Sequence, residues 1–300
     1  MKLLMPVDGS PHSEAALRFV ASRPFPREEH PQIDVLNVQY PVPPRAGRAV
    51  GAELVHAWHE AESSNVLQPA VAVLREAGLD PASFYRVGTP GLEIAQWASE
   101  HESDLIIMGS HGRTARMNVL LGSVAQTVLA ECRTPVLLIR QGDATSASSL
   151  RVGLAFDGTE HSRAALRFTL DFQAFFGPEV TLHLAHVVDE VPIQVRTALT
   201  NLASTTFTHE EVQAQRRQAF DHAMNVARAT LAAAEVEASA EMLVGASPAA
   251  ALADWVQRER IDLLVMGSHG TSLLKAAVIG SVAAGVGARC STPLLLVRPR

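Results

Sequence analysis

The stretch DLIIMGSHGRTARMNVLLGSVAQTVLAECRTPVLLIR, residues 104–140, occurs a second time as DLLVMGSHGTSLLKAAVIGSVAAGVGARCSTPLLLVR, residues 262–298, and the two align without a gap. Each copy opens with a short apolar run after an aspartate, Leu105 to Met108 and Leu263 to Met266. Such a run reads as a strand buried on both faces, the kind found in a parallel sheet. A glycine-rich turn follows: Gly109 and Gly112 flank Ser110-His111, and Gly122-Ser123 comes later; Gly267, Gly270 and Gly280-Ser281 repeat the spacing. Glycine at these points lets backbone N–H groups approach a bulky ligand. Gly-Ser stands where an apolar helical pattern begins, so Ser123 and Ser281 belong to helix N-termini, whose unsatisfied N–H groups and dipole favour anions.

Strand, glycine turn and helix start together spell a phosphate cradle. The Lys-Ser/Thr ending of a P-loop is missing, and no G-x-G-x-x-G opens a helix after the first strand, which argues against a P-loop NTPase and a dinucleotide dehydrogenase. The spacing G-x2-G-x9-G-S after such a strand resembles the nucleotide-binding signature of the universal stress protein family. Both copies carry it intact, so both halves are similar to the ATP-binding subgroup.

The rest of the chain fits two such units. At 300 residues it is about twice a typical domain of roughly 150 residues. Residues 2–7 read as a first strand ending in Asp8-Gly9-Ser10, followed by a helix through Phe19; Val152 to Phe156, Asp157-Gly158-Thr159 and the helix from His161 repeat this. Further strands are expected at 33–38, 83–87 and 136–140, and near 180–187, 237–244, 263–266 and 294–297. Helices are expected from about Gly51 to Ala77 and from Pro90 to Glu100, with Pro41-Val42-Pro43-Pro44 a loop that the helical pattern does not enter. The expected boundaries are a first domain at 1–140, a polar linker at 141–149 and a second domain at 150–300. The extra residues of the second half fall in its middle, in a long Thr-rich loop between 190 and 207.

Strands alternating with helices give a doubly wound parallel α/β sheet in each half. The resemblance implies five strands in the order 3-2-1-4-5, in the manner of adenine nucleotide alpha hydrolase-like folds. That order sets the ends of strands one and four side by side, where ligands of open α/β sheets bind. Carried over residue by residue, it implies that Val7, Asp8, Val38 and Met108 meet the adenosine while Gly109, Gly112, Gly122, Ser123 and Val124 line ribose and phosphates. The second half offers Phe156, Asp157, Val187, Met266, Gly267, Gly270, Gly280, Ser281 and Val282. Asp8 reads equally as the N-terminal cap of its helix, Val38 as core, and Ser123 as a helix cap with or without phosphate. His111 and His269, inside the turn, suit either a phosphate or a loop carbonyl.

Charge beside the cradle differs between halves. Arg113 and Arg116 of the first correspond in the repeat to Thr271 and Leu274 of the second, with Lys275 one place on; a guanidinium forms bidentate bonds to phosphate. The expectation is tighter nucleotide binding in the first half, and Phe156, bulkier than Val7, points the same way.

Other chemistries are disfavoured. ATP cleavage needs a positioned water, a metal and charge stabilisation, yet no carboxylate pair accompanies the turn, and neither a receiver-type acidic cluster nor a G-x-S-x-G elbow is present. Among 12 histidines, His56, His59 and Glu60 share a helix without completing a metal motif and read as a solvated face. Cys132 and Cys290 hold equivalent places and read as buried thiols. A net charge of −6 without a basic run argues against nucleic acid; no stretch reaches the roughly 20 apolar residues that cross a bilayer, and the cytoplasm is expected. The sequence thus points to a regulator binding ATP, ADP or AMP, with Mg²⁺ accompanying the phosphates and hydrolysis slow at most. The rival readings are a nucleotide-free interaction or chaperone-like stress protein and a true nucleotide hydrolase or transferase. The resemblance also implies that the apolar last strands, 136–139 and 294–297, pair the two halves within one chain, with further association into a homodimer.

Overall fold

The computed structural model describes residues 1–26, 30–112, 121–140, 149–189, 208–268 and 280–299. The chain splits into two compact units, Met1–Ser148 with Pro293–Leu295 and Ser149–Thr292 with Leu296–Arg300.

The first unit contains β1 (Lys2–Pro6), α1 (Pro11–Ala21), β2 (Gln32–Gln39), α2 (Pro44–Val50), α3 (Ala52–Glu76), β3 (Pro81–Val87), α4 (Pro90–Glu100), β4 (Leu105–Gly109), α5 (Ser123–Glu131) and β5 (Val136–Ile139). Its strands lie in the order β3-β2-β1-β4-β5, with parallel pairing throughout. Every residue of β4 and β5 is buried, as expected for strands covered on both faces. The order reverses between β1 and β4, where Leu3 and Leu4 pair with Leu105 and Ile106. The carboxyl ends of these two strands therefore open a crevice at the switch point.

The second unit repeats the plan with β6 (Arg151–Ala155), α6 (Glu160–Asp171), α7 (Gln173–Phe176), β7 (Thr181–Val188), α8 (His209–Ala233), β8 (Ala238–Val244), α9 (Pro248–Arg258), β9 (Leu263–Gly267), α10 (Ser281–Arg289) and β10 (Leu294–Val297). Its order is β8-β7-β6-β9-β10, and β6 pairs in parallel with both β7 and β9.

Two short helices were not expected. α2 begins at Pro44 itself, inside the stretch read as loop, because proline lacks only an N–H that a first turn leaves unused. α7 is a single turn that buries Phe175 and Phe176.

The two cores are packed differently at equivalent places. A Cβ on Gly153 of β6 would lie 2.9 Å from the ring of Trp255 and 2.8 Å from Ile261; the first unit has Leu4 at that strand position. Its own tryptophan, Trp97, instead turns Nε1–H to the buried carboxylate of Asp34 at 3.0 Å. Where α4 crosses α5, Gly91 makes room for Thr127, whose Cβ would be 2.4 Å from an added methyl. Where α9 crosses α10 the sizes are exchanged, with Gly285 2.6 Å from Ala249 by the same measure. Cys132 and Cys290 are buried and form no disulfide among the described residues. Among the described residues no helix is long and apolar enough to cross a membrane.

Candidate functional site

The first crevice is built by three turns. β1 leads into Val7, whose N–H donates to Leu36 O at 2.9 Å, and then into Asp8. The Asp8 carboxylate accepts from Ser10 N–H at 3.0 Å, a local turn that Gly9 completes at φ 75°. Ser10 is the cap of α1, its hydroxyl accepting from Ser13 N–H at 3.2 Å. Asp8 is thus not the helix cap; the cap falls two residues later, and the aspartate stays half-buried beside the crevice.

β4 ends against α1. A Cβ on Gly109 would stand 2.7 Å from both C and Cβ of His12, so only glycine lets the strand end come this close. Ser110 N–H then donates to Ile139 O at 2.8 Å, and Gly122 N–H returns to Ser110 O at 2.9 Å. That bond ties the start of α5 to the end of β4. A Cβ on Gly112 would meet Asp8 Oδ2 at 2.8 Å, which brings the aspartate and the glycine turn into one crevice. α5 starts at Ser123 with Gly122 as its N-cap, and no side chain caps it. Ser123 is exposed and Val124 half-buried at this helix start. Arg113 and Arg116 lie outside the described residues.

The outer wall comes from β2. Val38 is half-buried rather than core, and next to it the buried Asn37 donates Nδ2–H to Val7 O at 2.7 Å and accepts from Gln39 at 2.6 Å. Val7 and Met108 are each 5% exposed, so they form the floor of the crevice more than its lining.

The second crevice follows the same construction. Asp157 is exposed and accepts from Thr159 N–H at 3.0 Å and Thr159 Oγ1–H at 2.6 Å; Thr159 caps α6. Gly158 takes φ 78°, and Arg163 donates to its carbonyl at 2.9 Å. A Cβ on Gly267 would lie 2.6 Å from His161 Cβ. Ser268 N–H donates to Val297 O at 2.9 Å and Gly280 N–H to Ser268 O at 2.7 Å. α10 begins at Ser281 with Gly280 as an N-cap that no side chain assists. Val187 and Val282 are half-buried, Met266 buried, and Phe156 is fully buried at 2% exposure. His186 stands where the first half has Asn37 and donates Nδ1–H to Phe156 O at 2.8 Å. His269, Gly270, Thr271, Leu274 and Lys275 lie outside the described residues.

One residue of the first crevice escaped the sequence reading. His12, held by the Gly109 contact, sets its ring 5.5 Å from that of His111 at a tilt of 48°. Its Nδ1 is buried with no hydrogen-bond partner among the described residues. Burial pushes its imidazole below the ordinary value; His111 pushes the same way, Asp8 opposes, and Arg140 adds to the lowering. The signal in sequence was His12 and His161 at matching places in the two repeats. His111 itself meets the Ser110 hydroxyl through Nδ1 at 3.1 Å. His59, expected on a solvated face, is 3% exposed, because its Nε2–H reaches back to Tyr40 O at 3.1 Å. No group of three or more metal-ligating side chains occurs among the described residues.

Fold and site together define a class: a tandem of α/β domains, each with a glycine N–H bonded back to the serine after its fourth strand and a helix start without a side-chain cap at the switch point of a parallel sheet. The model of the universal stress protein family matches residues 1–140 and again 149–298, and the chain belongs to that family. A universal stress protein of Mycolicibacterium smegmatis is 26% identical over 99% of this chain and 97% of its own length. One of Methanocaldococcus jannaschii is 35% identical over 27% of this chain, a match spanning 49%, about half, of that protein's length. The crystal structure of a universal stress protein from Archaeoglobus fulgidus superposes with a TM-score of 0.68 at 20% identity, covering 99% of this chain and 96% of that one, a likeness of fold.

Proposed function

We propose that the chain is a regulator that binds an adenine nucleotide, ATP or its ADP and AMP relatives, in one or both crevices. The observation that carries this is the bond from Gly122 N–H to Ser110 O, which sets an uncapped helix start at the end of β4, in the same crevice as Asp8. The residues present fit such a ligand. Unsatisfied N–H groups at a helix start suit phosphate, and glycine at 112, already close to Asp8 Oδ2, leaves backbone within reach of a ribose. Asp8 accepts from a hydroxyl or an amine, and half-buried Val38 gives apolar contact for a base. Mg²⁺, when bound with the phosphates, offsets their charge. Hydrolysis is slow in this reading, since neither glycine-rich stretch, 109–124 or 267–282, carries an aspartate or glutamate to act as a base beside the phosphates. The first half binds more tightly, with Asp8 half-buried where Asp157 is exposed.

The test is nucleotide content and affinity. Protein purified fresh and heat-denatured releases adenine nucleotide that chromatography resolves, and the stripped chain binds ATP and ADP in calorimetry with Mg²⁺ present. Asp8→Ala weakens binding about tenfold or more, the loss of roughly one charge-assisted hydrogen bond, while Asp157→Ala does less. Release of nothing and no binding heat would leave the interaction-protein reading in front; abolition by Asp157→Ala alone would reverse the assignment of halves.

A further inference from the structure

The first crevice collects groups that become cations. His12 from the start of α1 and His111 from the glycine turn face each other at 5.5 Å. The charged groups that act on His12 are His111, Asp8 at the end of β1 and Arg140 at the end of β5. The amide end of α5 lies against His111, since a Cβ on Gly122 would lie 3.3 Å from His111 Cα, and a helix N-terminus adds about half a positive charge to the crevice. Of the charged neighbours of His12, His111 and Arg140 oppose a proton on it and Asp8 favours one.

An anion entering here reverses that balance. Opposite charge within about 4–6 Å favours the charged form of a titrating group, and a phosphate set against the helix start and the two rings offsets Arg140, the dipole and the second imidazole together. His12 also keeps a buried ring nitrogen, Nδ1, with no partner among the described residues. On the nucleotide-binding reading above, we propose that the first crevice takes up its phosphate together with a proton, held by His12 beside His111, so that pH sets the affinity of this half.

The sign follows from the order of the two titrations. Without ligand His12 releases its proton below the ordinary imidazole value near 6.5, and with phosphate bound it holds the proton to higher pH. Binding therefore strengthens as pH falls through the bound-state value, and the gain is complete below the free-state value. A pool of nucleotide at fixed concentration then loads this half in an acidified compartment and leaves it in a neutral one.

The experiment uses the full chain with Mg²⁺-complexed ATP, because the metal keeps the terminal phosphate unprotonated across the range. Titration calorimetry from pH 5.5 to 8 in two buffers of different ionisation enthalpy counts the protons exchanged. We expect net uptake near pH 6.5 and an affinity that rises about threefold or more per pH unit of acidification, the slope of about half a proton or more per site. His12→Gln loses that uptake and flattens the slope. Histidine ring resonances of the unaltered chain give a second readout, one titration midpoint moving up when nucleotide is added. Binding without proton uptake, or full uptake retained by His12→Gln, would overturn the inference and leave the nucleotide reading standing. Absence of binding at every pH would remove both.

Discussion

At the scale of single residues, the close contact between β4 and α1 is the most sensitive point of the crevice. An added methyl at Gly109 would push against the backbone carbonyl carbon of His12, 2.7 Å away, and its oxygen at 3.0 Å, atoms that cannot rotate aside. Gly109→Ala is expected to cost about 1–3 kcal/mol by overpacking, read from denaturant midpoints; a cost near zero would show that α1 shifts freely. The same glycine was legible in sequence as part of a turn, but the reason for it was not, because the contact lies between residues almost a hundred positions apart. Asp8 shows the complementary limit. Its type and place after a strand suit both a helix cap and a ligand group, and only the bond from Ser13 N–H to Ser10 Oγ assigns the cap elsewhere.

The elements themselves were plain in the periodicity: all ten strands and the long helix α3 fall within a few residues of where the pattern set them. α2 and α7 were not, since the first has no buried residue to mark a face and the second is a single turn. How an element docks is less legible still. α4 is tied to β2 by the indole of Trp97 on the Asp34 carboxylate, which is 6% exposed, and Arg86 lies over the same indole at 4.9 Å. Trp97→Phe removes that donor from a buried oxygen and is expected to cost about 1–3 kcal/mol. Replacing Asp34 by leucine as well recovers part of the loss, because the unmet acceptor goes too. A double variant less stable than the sum of the two singles would contradict this account.

For the molecule as a whole, pH acts on stability and on ligand in opposite directions. Burial lowers the imidazoles of His12 and of His183, the latter aided by Arg151 and opposed by Glu259. The unfolded chain therefore binds more protons between the folded values and the ordinary one near 6.5. Stability from these groups is present above pH 6.5 and is lost as pH falls through the folded values. The melting temperature of the nucleotide-free chain is expected to decline from pH 7 to 5.5, less steeply in His12→Gln; a rise over that interval would refute the sign. The duplicated plan was readable from the repeat, whereas the strand order came from the family resemblance, and the glycine spacing marked the turn at the crevice. What the repeat concealed is how far its two copies have parted behind the same surface. Gly91 with Thr127 and Ala249 with Gly285 fill one helix crossing by opposite choices of large and small, and Leu4 and Gly153 differ at one strand position. The halves have ceased to be spare parts for one another. A crossover that carried α10 into the place of α5 would set glycine against glycine and open a void, and the reverse exchange would force Thr127 onto Ala249. Exchange between the copies keeps this packing only in blocks that move both helices of a crossing together, and an average of the two repeats would describe neither.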